Sequence, residues 1–145
     1  MAIEIKHLDK DTTLTDAFSV RERVFHDEQG IPTSDDFDGQ DYTAEQFVAY
    51  DDGLAIGTGR YRVLSDNIGK VERVAVLEDY RGQHVGQAIM GKIAEQAKEQ
   101  GLSQLALDAQ MTAASFYENL GYQPVGDVFE EVGIPHIKMV LNLTQ

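Results

Sequence analysis

Apolar-rich runs at Ile3–Leu8, Gln46–Tyr50, Leu54–Val63, Lys70–Leu77, Gln104–Asp108, Tyr122–Val128 and Ile137–Leu143 are short and bounded by turn residues, which predicts strands. Two longer stretches repeat at helical spacing. From Thr13 to about His26, Leu14, Ala17, Phe18, Val24 and Phe25 form one face, and Thr13-Leu-Thr-Asp16 resembles a capping box that opens it. Val85, Ile89, Ile93 and Ala97 fall four apart, with Met90 and Ala94 alongside, and Gly101 supplies the stop. A shorter helix is expected over Thr112–Leu120, ended by Gly121. Asp52-Gly53 marks a hairpin between the second and third strands, and Asn67-Ile68-Gly69 turns the chain into the fourth. Gly57 and Gly59, inside a strand, predict a bend or a close approach of backbone. This order of elements predicts an α/β domain spanning 1–145, with a mixed sheet carrying helices on its faces.

Composition narrows the function classes. With 145 residues one domain is expected, and the absence of cysteine excludes disulfides and thiolate catalysis, as suits a reducing compartment. Met1-Ala-Ile-Glu-Ile has neither a basic nor an apolar leader region, and no apolar run reaches the roughly 20 residues of a membrane span, so a cytoplasmic protein is expected. A net charge of −13 argues against nucleic-acid and anionic-membrane partners. The charge is uneven: Arg60–Lys92 holds six basic residues (Arg60, Arg62, Lys70, Arg73, Arg81, Lys92) against four acidic ones (Asp66, Glu72, Glu78, Asp79). Asp27–Glu45 instead carries seven carboxylates (Asp27, Glu28, Asp35, Asp36, Asp38, Asp41, Glu45) with no lysine or arginine, a composition not expected in a core. Three readings of it are open: a solvated loop, a funnel for a cationic amine, or a metal site, although Asp36-Phe-Asp38-Gly-Gln-Asp41 lacks the full EF-hand spacing. Edge strands near the C-terminus are compatible with a homodimer.

The chemistry concentrates between the fourth strand and the long helix. Strand Lys70–Leu77, loop Arg81-Gly-Gln-His-Val-Gly86 and a helix start follow one another. The first turn of a helix offers unpartnered N–H groups and the positive end of the macrodipole, so an anion is stabilised there. Gly82 and Gly86 let a ligand approach the main chain, and Gln83, His84, Val85, Gly86 and Gln87 could donate N–H groups to a pyrophosphate. No Gly-Lys-Ser/Thr follows, so this is not a Walker loop, and Gly-x-Gly-x-x-Gly is absent as well.

Arg81-Gly82-Gln83-His84-Val85-Gly86 resembles the Arg/Gln-x-x-Gly-x-Gly/Ala signature of the GCN5-related N-acetyltransferases, with His84 where that family usually has glycine. A second match is Ala113-Ala-Ser-Phe-Tyr117-Glu-Asn-Leu-Gly121-Tyr122. Blocks at Arg21–Pro32, Asp36–Asp41, Ala109-Gln110 and Phe129–Met139 look like the branch of the bacterial ElaA and YjcF proteins. The resemblance implies a mostly antiparallel sheet of about six to seven strands, splayed after the fourth, and acetyl-coenzyme A as cosubstrate with no metal. It implies that Arg81 to Gln87 hold the pyrophosphate, that Val74, Ala75 and Val76 pair with the pantetheine arm, and that Val74 N–H meets the thioester carbonyl. Gln110, where the family often has asparagine, and Phe116, which with Val76 would bound the acyl pocket, complete the cofactor set. Tyr117 would protonate the departing thiolate, as a phenol near pKa 10 can do for a thiol near about 8.5. An amine must lose a proton before it attacks. Candidates for that task are Glu28, Glu72 and His136, histidine being the residue type that titrates near neutrality. His7 and His26 carry no motif and read as surface. The implied reaction is acetyl transfer to a small primary amine, polycationic amines included, in a ternary complex; the alternative is a non-catalytic acyl-coenzyme A sensor on the same fold.

Overall fold

Seven strands form one sheet in the order β1-β2-β3-β4-β5-β7-β6: β1 Ile3–His7, β2 Glu45–Asp51, β3 Leu54–Val63, β4 Ile68–Val76, β5 Gln104–Gln110, β6 Gln123–Glu131 and β7 Ile134–Asn142. All neighbours are antiparallel except β4 and β5, which run parallel because the long helix α3, Val85–Gln100, crosses between them. This computed structural model describes residues 3–64 and 67–143, leaving aside the side chains of Ser34 and Asp35. Met1, Ala2 and Asp66, which entered the leader and charge readings, lie outside the described residues, as does the Asp35 side chain of the acidic stretch.

Period-two alternation on β3 assigns the two faces. On one, Gly57 and Gly59 lie beneath α3: a Cβ on Gly57 would sit 2.8 Å from Ile89 Cδ1, and one on Gly59 3.1 Å from Ile89 Cγ2. The glycines thus serve the close approach expected of them. Val85, Ile89, Met90, Ile93 and Ala97 are the buried stripe of α3, and Gly101 ends it at φ 90°. On the other face lies Arg60, which shares Asp41 with Arg21 of α1, Thr15–Arg21.

Three elements depart from the expectation. No side chain caps α1, so the capping box does not form, and the chain continues over Glu22–Glu28 as a wider helix whose Gln29 N–H reaches Val24 O five residues back. The buried face is Ala17, Val20, Arg21, Val24 and Phe25, at ordinary three- and four-residue spacing, and Leu14 and Phe18 at its margin are half-buried. The connection between β6 and β7 is a two-residue turn, Val132 and Gly133, at φ 47° and 74°. A β-branched residue in that conformation carries none of the usual Asn-Gly signal, so both strands are longer than expected. A four-residue helix α2, Thr33–Asp36, interrupts the acidic stretch. Among the described residues no helix is long and apolar enough to cross a membrane.

Candidate functional site

The site begins with an irregularity in β4. Arg60 pairs with Glu72 and Thr58 with Ala75, so Gly59 alone faces both Arg73 and Val74. This bulge holds Arg73 at φ 58°. On its other edge β4 pairs with β5 only from Ile68 to Val71. Beyond that point β5 continues with β7, up to Gln110 opposite His136, while Glu72–Val76 leave it. A bulge bends its strand and breaks the ladder, and here it parts two parallel neighbours. The cleft between them holds about 290 Å³, with Val74, Ala75 and Val76 along one wall and Gln110, Tyr117 and His136 along the other.

At the end of that wall Glu78–Tyr80 form a single tight turn, and Arg81 leads toward α3. Gly82 and His84 both take left-handed backbone, at φ 78° and 65°. Glycine enters that conformation without cost, which accounts physically for its use at the position His84 occupies. His84 tolerates it, its Nδ1 lying 3.0 Å from Gln87 Oε1. The first bond of α3 runs from Ala88 N–H to His84 O at 3.0 Å, and no side chain caps the helix. Val85, Gly86 and Gln87 therefore present N–H groups with no helical acceptor. Gly86 also makes room for Phe116, whose ring would stand 3.2 Å from an added Cβ. A 16-residue helix with a bare N-terminus, reached through a loop that an anion can approach closely, fits a pyrophosphate.

Arg81 does not point freely outward. Its Nε donates to Val76 O at 3.0 Å and its fork grips Glu28 at 2.6 and 2.7 Å. That bidentate bond from Arg81 holds the Glu28 carboxyl below its usual range. Beside it Gln110 Nε2 donates to Gln29 Oε1 at 3.1 Å, a second tie across the cleft to the end of the first helical segment.

Tyr117 belongs to α4, Ala114–Asn119, with ring contacts to Phe116 (5.0 Å between centroids) and Tyr122 (5.9 Å). Burial pushes its phenol up to about 12, so it keeps its proton at any working pH. Tyr122 carries a buried hydroxyl without a hydrogen-bond partner among the described residues, and burial raises it as well. His136 is buried. Its Nδ1 lies 2.6 Å from the carbonyl of Ile134, which assigns the proton to Nδ1 and leaves Nε2 as the acceptor, 3.8 Å from Glu131 Oε2. Glu72 is neither solvated nor available: Arg60 (3.0 Å) and Arg62 (2.6 Å) both bind Oε1. Burial pushes its carboxyl up, but these two arginines outweigh it and the net direction is down.

The largest feature absent from the sequence reading is a buried charge network. Arg21 and Arg60 are 1% and 0% exposed, and both bind Asp41 Oδ1, at 2.6 and 2.7 Å. Arg21 also binds Asp36, whose other oxygen lies 3.1 Å from His26 Nε2. Two carboxylates of the acidic stretch are therefore interior, contrary to expectation, and stand as counter-ions to interior arginines. Neither the solvated-loop nor the funnel reading describes Asp36 and Asp41. Among the described residues no group of three or more His, Asp or Glu is arranged to hold a metal. His26 and His7 are half-buried and paired, His7 with Glu45 at 2.8 Å, rather than free at the surface. The one signal that could have found the network is Arg60 in the middle of an apolar-rich strand.

A family model described as Acetyltransferase (GNAT) domain matches residues 32–143. The chain is 39% identical over 128 residues to the uncharacterized N-acetyltransferase YjcF of Bacillus subtilis (strain 168), covering 88% of this chain and 91% of that protein. The crystal structure of Escherichia coli ElaA superimposes with a TM-score of 0.86 at 31% identity, covering 96% of this chain and 99% of that one. An acyl-CoA N-acyltransferase from Pseudomonas aeruginosa gives 0.83 at 28% identity, over 96% and 97% of the two chains.

Proposed function

The chain belongs to the acetyltransferase (GNAT) family, in the branch of YjcF and ElaA, and from that premise we propose that it transfers an acetyl group from acetyl-coenzyme A to a small primary amine by direct attack in a ternary complex. One observation carries the reading: the β4–β5 splay opens beside the uncapped N-terminus of α3, with the half-buried phenol of Tyr117 on the far wall. Acetyl-coenzyme A supplies the activated acyl group. The main-chain N–H groups of Gln83 to Gln87 hold its pyrophosphate, and the unpaired edge of β4 at Val74–Val76 takes the pantetheine arm. Val74 N–H faces the carbonyl oxygen as charge develops there. Gln110 and Phe116 border the arm.

Tyr117 is the general acid. A phenol kept neutral by burial can give its proton to a thiolate, and it loses none to solvent at neutral pH. His136 is the base that prepares the amine. Its Nδ1 proton is held by Ile134 O, so Nε2 is left as the acceptor at the cleft wall, with Glu131 beside it to stabilise the imidazolium. Glu28 is the weaker candidate, because Arg81 already occupies both of its oxygens.

The test is free-thiol release from acetyl-coenzyme A over an amine panel that includes di- and polyamines, with Tyr117→Phe as control. We expect turnover with at least one amine, a loss of about 10²-fold in kcat for Tyr117→Phe, and coenzyme A affinity within about threefold of the parent. Equal kcat in the variant would remove Tyr117 from the mechanism. Tight coenzyme A binding with no thiol release from any amine would establish the sensor instead.

A further inference from the structure

Five non-glycine residues among those described have positive φ, and four of them, Asp52, Asn67, His84 and Val132, occupy turns or loops. Arg73 is in the interior of a strand. Left-handed backbone costs an L-residue with a Cβ about 1–2 kcal/mol, and glycine or asparagine would carry it at less cost. The side chain must therefore contribute something that the backbone does not.

What it contributes is a tether. Arg73 Nε lies 3.0 Å from Asp36 Oδ1 and 3.1 Å from Asp36 O, and Nη2 lies 3.4 Å from Asp38 Oδ2. Asp36 is itself immobilised, since Arg21, 1% exposed, holds the same oxygen at 3.0 Å and His26 holds the other. The bulge is thus tied to a fixed point outside the sheet. The dihedral angles of Arg73 orient the peptide plane that carries Val74 N–H, and that plane opens the unpaired edge of β4. Asp36, at the far end of the tether, lines the same cleft.

We propose that Arg73 is a positioning residue for acyl transfer: its guanidinium, bound to Asp36 and Asp38, holds the β4 bulge left-handed, aims Val74 N–H into the cleft and locks the strand to the acceptor-side wall. This rests on the acetyltransferase reading above. Arg73 touches no reacting atom and acts through the backbone that follows it.

Arg73→Gly keeps left-handed backbone accessible and removes the tether, while Arg73→Lys keeps a cation without the fork. Both are measured in the full chain. The readouts are coenzyme A affinity by calorimetry, kcat for thiol release, and the amide resonances of Val74 and Ala75 in the free protein. We expect coenzyme A affinity within about threefold of the parent and kcat about 10²-fold lower, as for a misplacement near 1 Å. The Val74 and Ala75 resonances should shift or broaden, while those of Phe47 and Ile93 in the core stay in place. Unchanged kcat with unchanged Val74 resonances in both variants overturns the proposal. So does a loss of coenzyme A affinity that matches the loss in kcat/KM, which would make Arg73 a ligand contact. If the parent protein releases no thiol with any amine, the acetyltransferase reading fails, and the Val74 resonances still decide the tether.

Discussion

Placing a methyl group on Gly57 tests whether the cofactor end of the cleft is set by the packing of α3 on β3. The new Cβ would stand 2.8 Å from Ile89 Cδ1, 3.3 Å from the Ala75 carbonyl oxygen and 3.3 Å from Val85 Cγ1. Ile89 Cδ1 is the tip of a flexible side chain, but it is fully buried and has little room to swing away. The Ala75 oxygen is backbone, and Val85 is a β-branched residue in the first turn of the helix, stiff about χ1. The helix itself must give by a few tenths of an ångström. Overpacking of this kind costs about 1–3 kcal/mol, against which a Gly→Ala change recovers about 0.4–1 kcal/mol through the unfolded chain. The net expectation for Gly57→Ala is a loss of about 1.5 kcal/mol. Ile89→Val alone should cost about 1 kcal/mol, yet it removes the 2.8 Å contact, so the double variant should be more stable than the sum of the singles by about 1 kcal/mol. Urea melts of the four proteins give that coupling, and calorimetry with coenzyme A should show a several-fold weaker affinity for Gly57→Ala, restored by Ile89→Val. A Gly57→Ala variant as stable as the parent, with the two changes simply additive, would refute the argument that this contact sets the height of the helix.

Two further outcomes follow from the charge network. Asp41→Asn leaves Arg21 and Arg60 sharing a neutral partner in the interior and should cost about 3 kcal/mol or more in urea melts; a loss under about 1 kcal/mol would mean that the network relaxes easily. The acid limb has a definite sign. Burial pushes Asp38, Asp41, Glu45 and Glu72 up, but their cationic partners outweigh it, and the Arg81 bond lowers Glu28 directly. Asp38 comes down to about 2. Below about pH 4.5 the unfolded chain therefore binds protons that the folded chain refuses, so the stability these carboxylates contribute is complete above that pH and is lost as pH falls toward 2. Tm measured from pH 7 to 2.5 should stay level, so far as these groups decide it, down to about 4.5 and then drop steeply.

The cofactor half was legible from the sequence because it is built from local pattern. Glycine spacing, the apolar stripe from Val85 to Ala97 and the Gly101 stop each act within one or two turns of chain, and the structure places them as expected. The acceptor half depends on pairs distant in sequence. Asp41 meets Arg60 across 19 residues and Arg73 meets Asp36 across 37, and neither member of such a pair marks the other locally. A run of carboxylates reads as solvated when its counter-ions are out of view. The wide helical turn at Glu22–Glu28 was hidden because the buried positions Ala17, Val20, Arg21, Val24 and Phe25 fit ordinary helical spacing, and the extra residue shows only in the backbone bond from Gln29 N–H to Val24 O.

That division has a chemical consequence. On the proposed cofactor side main-chain N–H groups would do the holding, so a side chain such as His84 can replace the usual glycine without removing a donor. On the acceptor side the holding is done by side-chain charges in a low-dielectric setting, where a lost partner is costly and geometry is fixed tightly. Asp36 and Glu72 line the cleft, but both are already matched, by Arg21 and Arg73 in the first case and by Arg60 and Arg62 in the second. They act as walls. Glu131, exposed beside His136, and Asp108, 3.4 Å from Lys70, are the cleft carboxylates held least. If the chain acetylates an amine as proposed, the incoming ammonium would meet these less committed carboxylates and the imidazole of His136 before the matched Asp36 and Glu72.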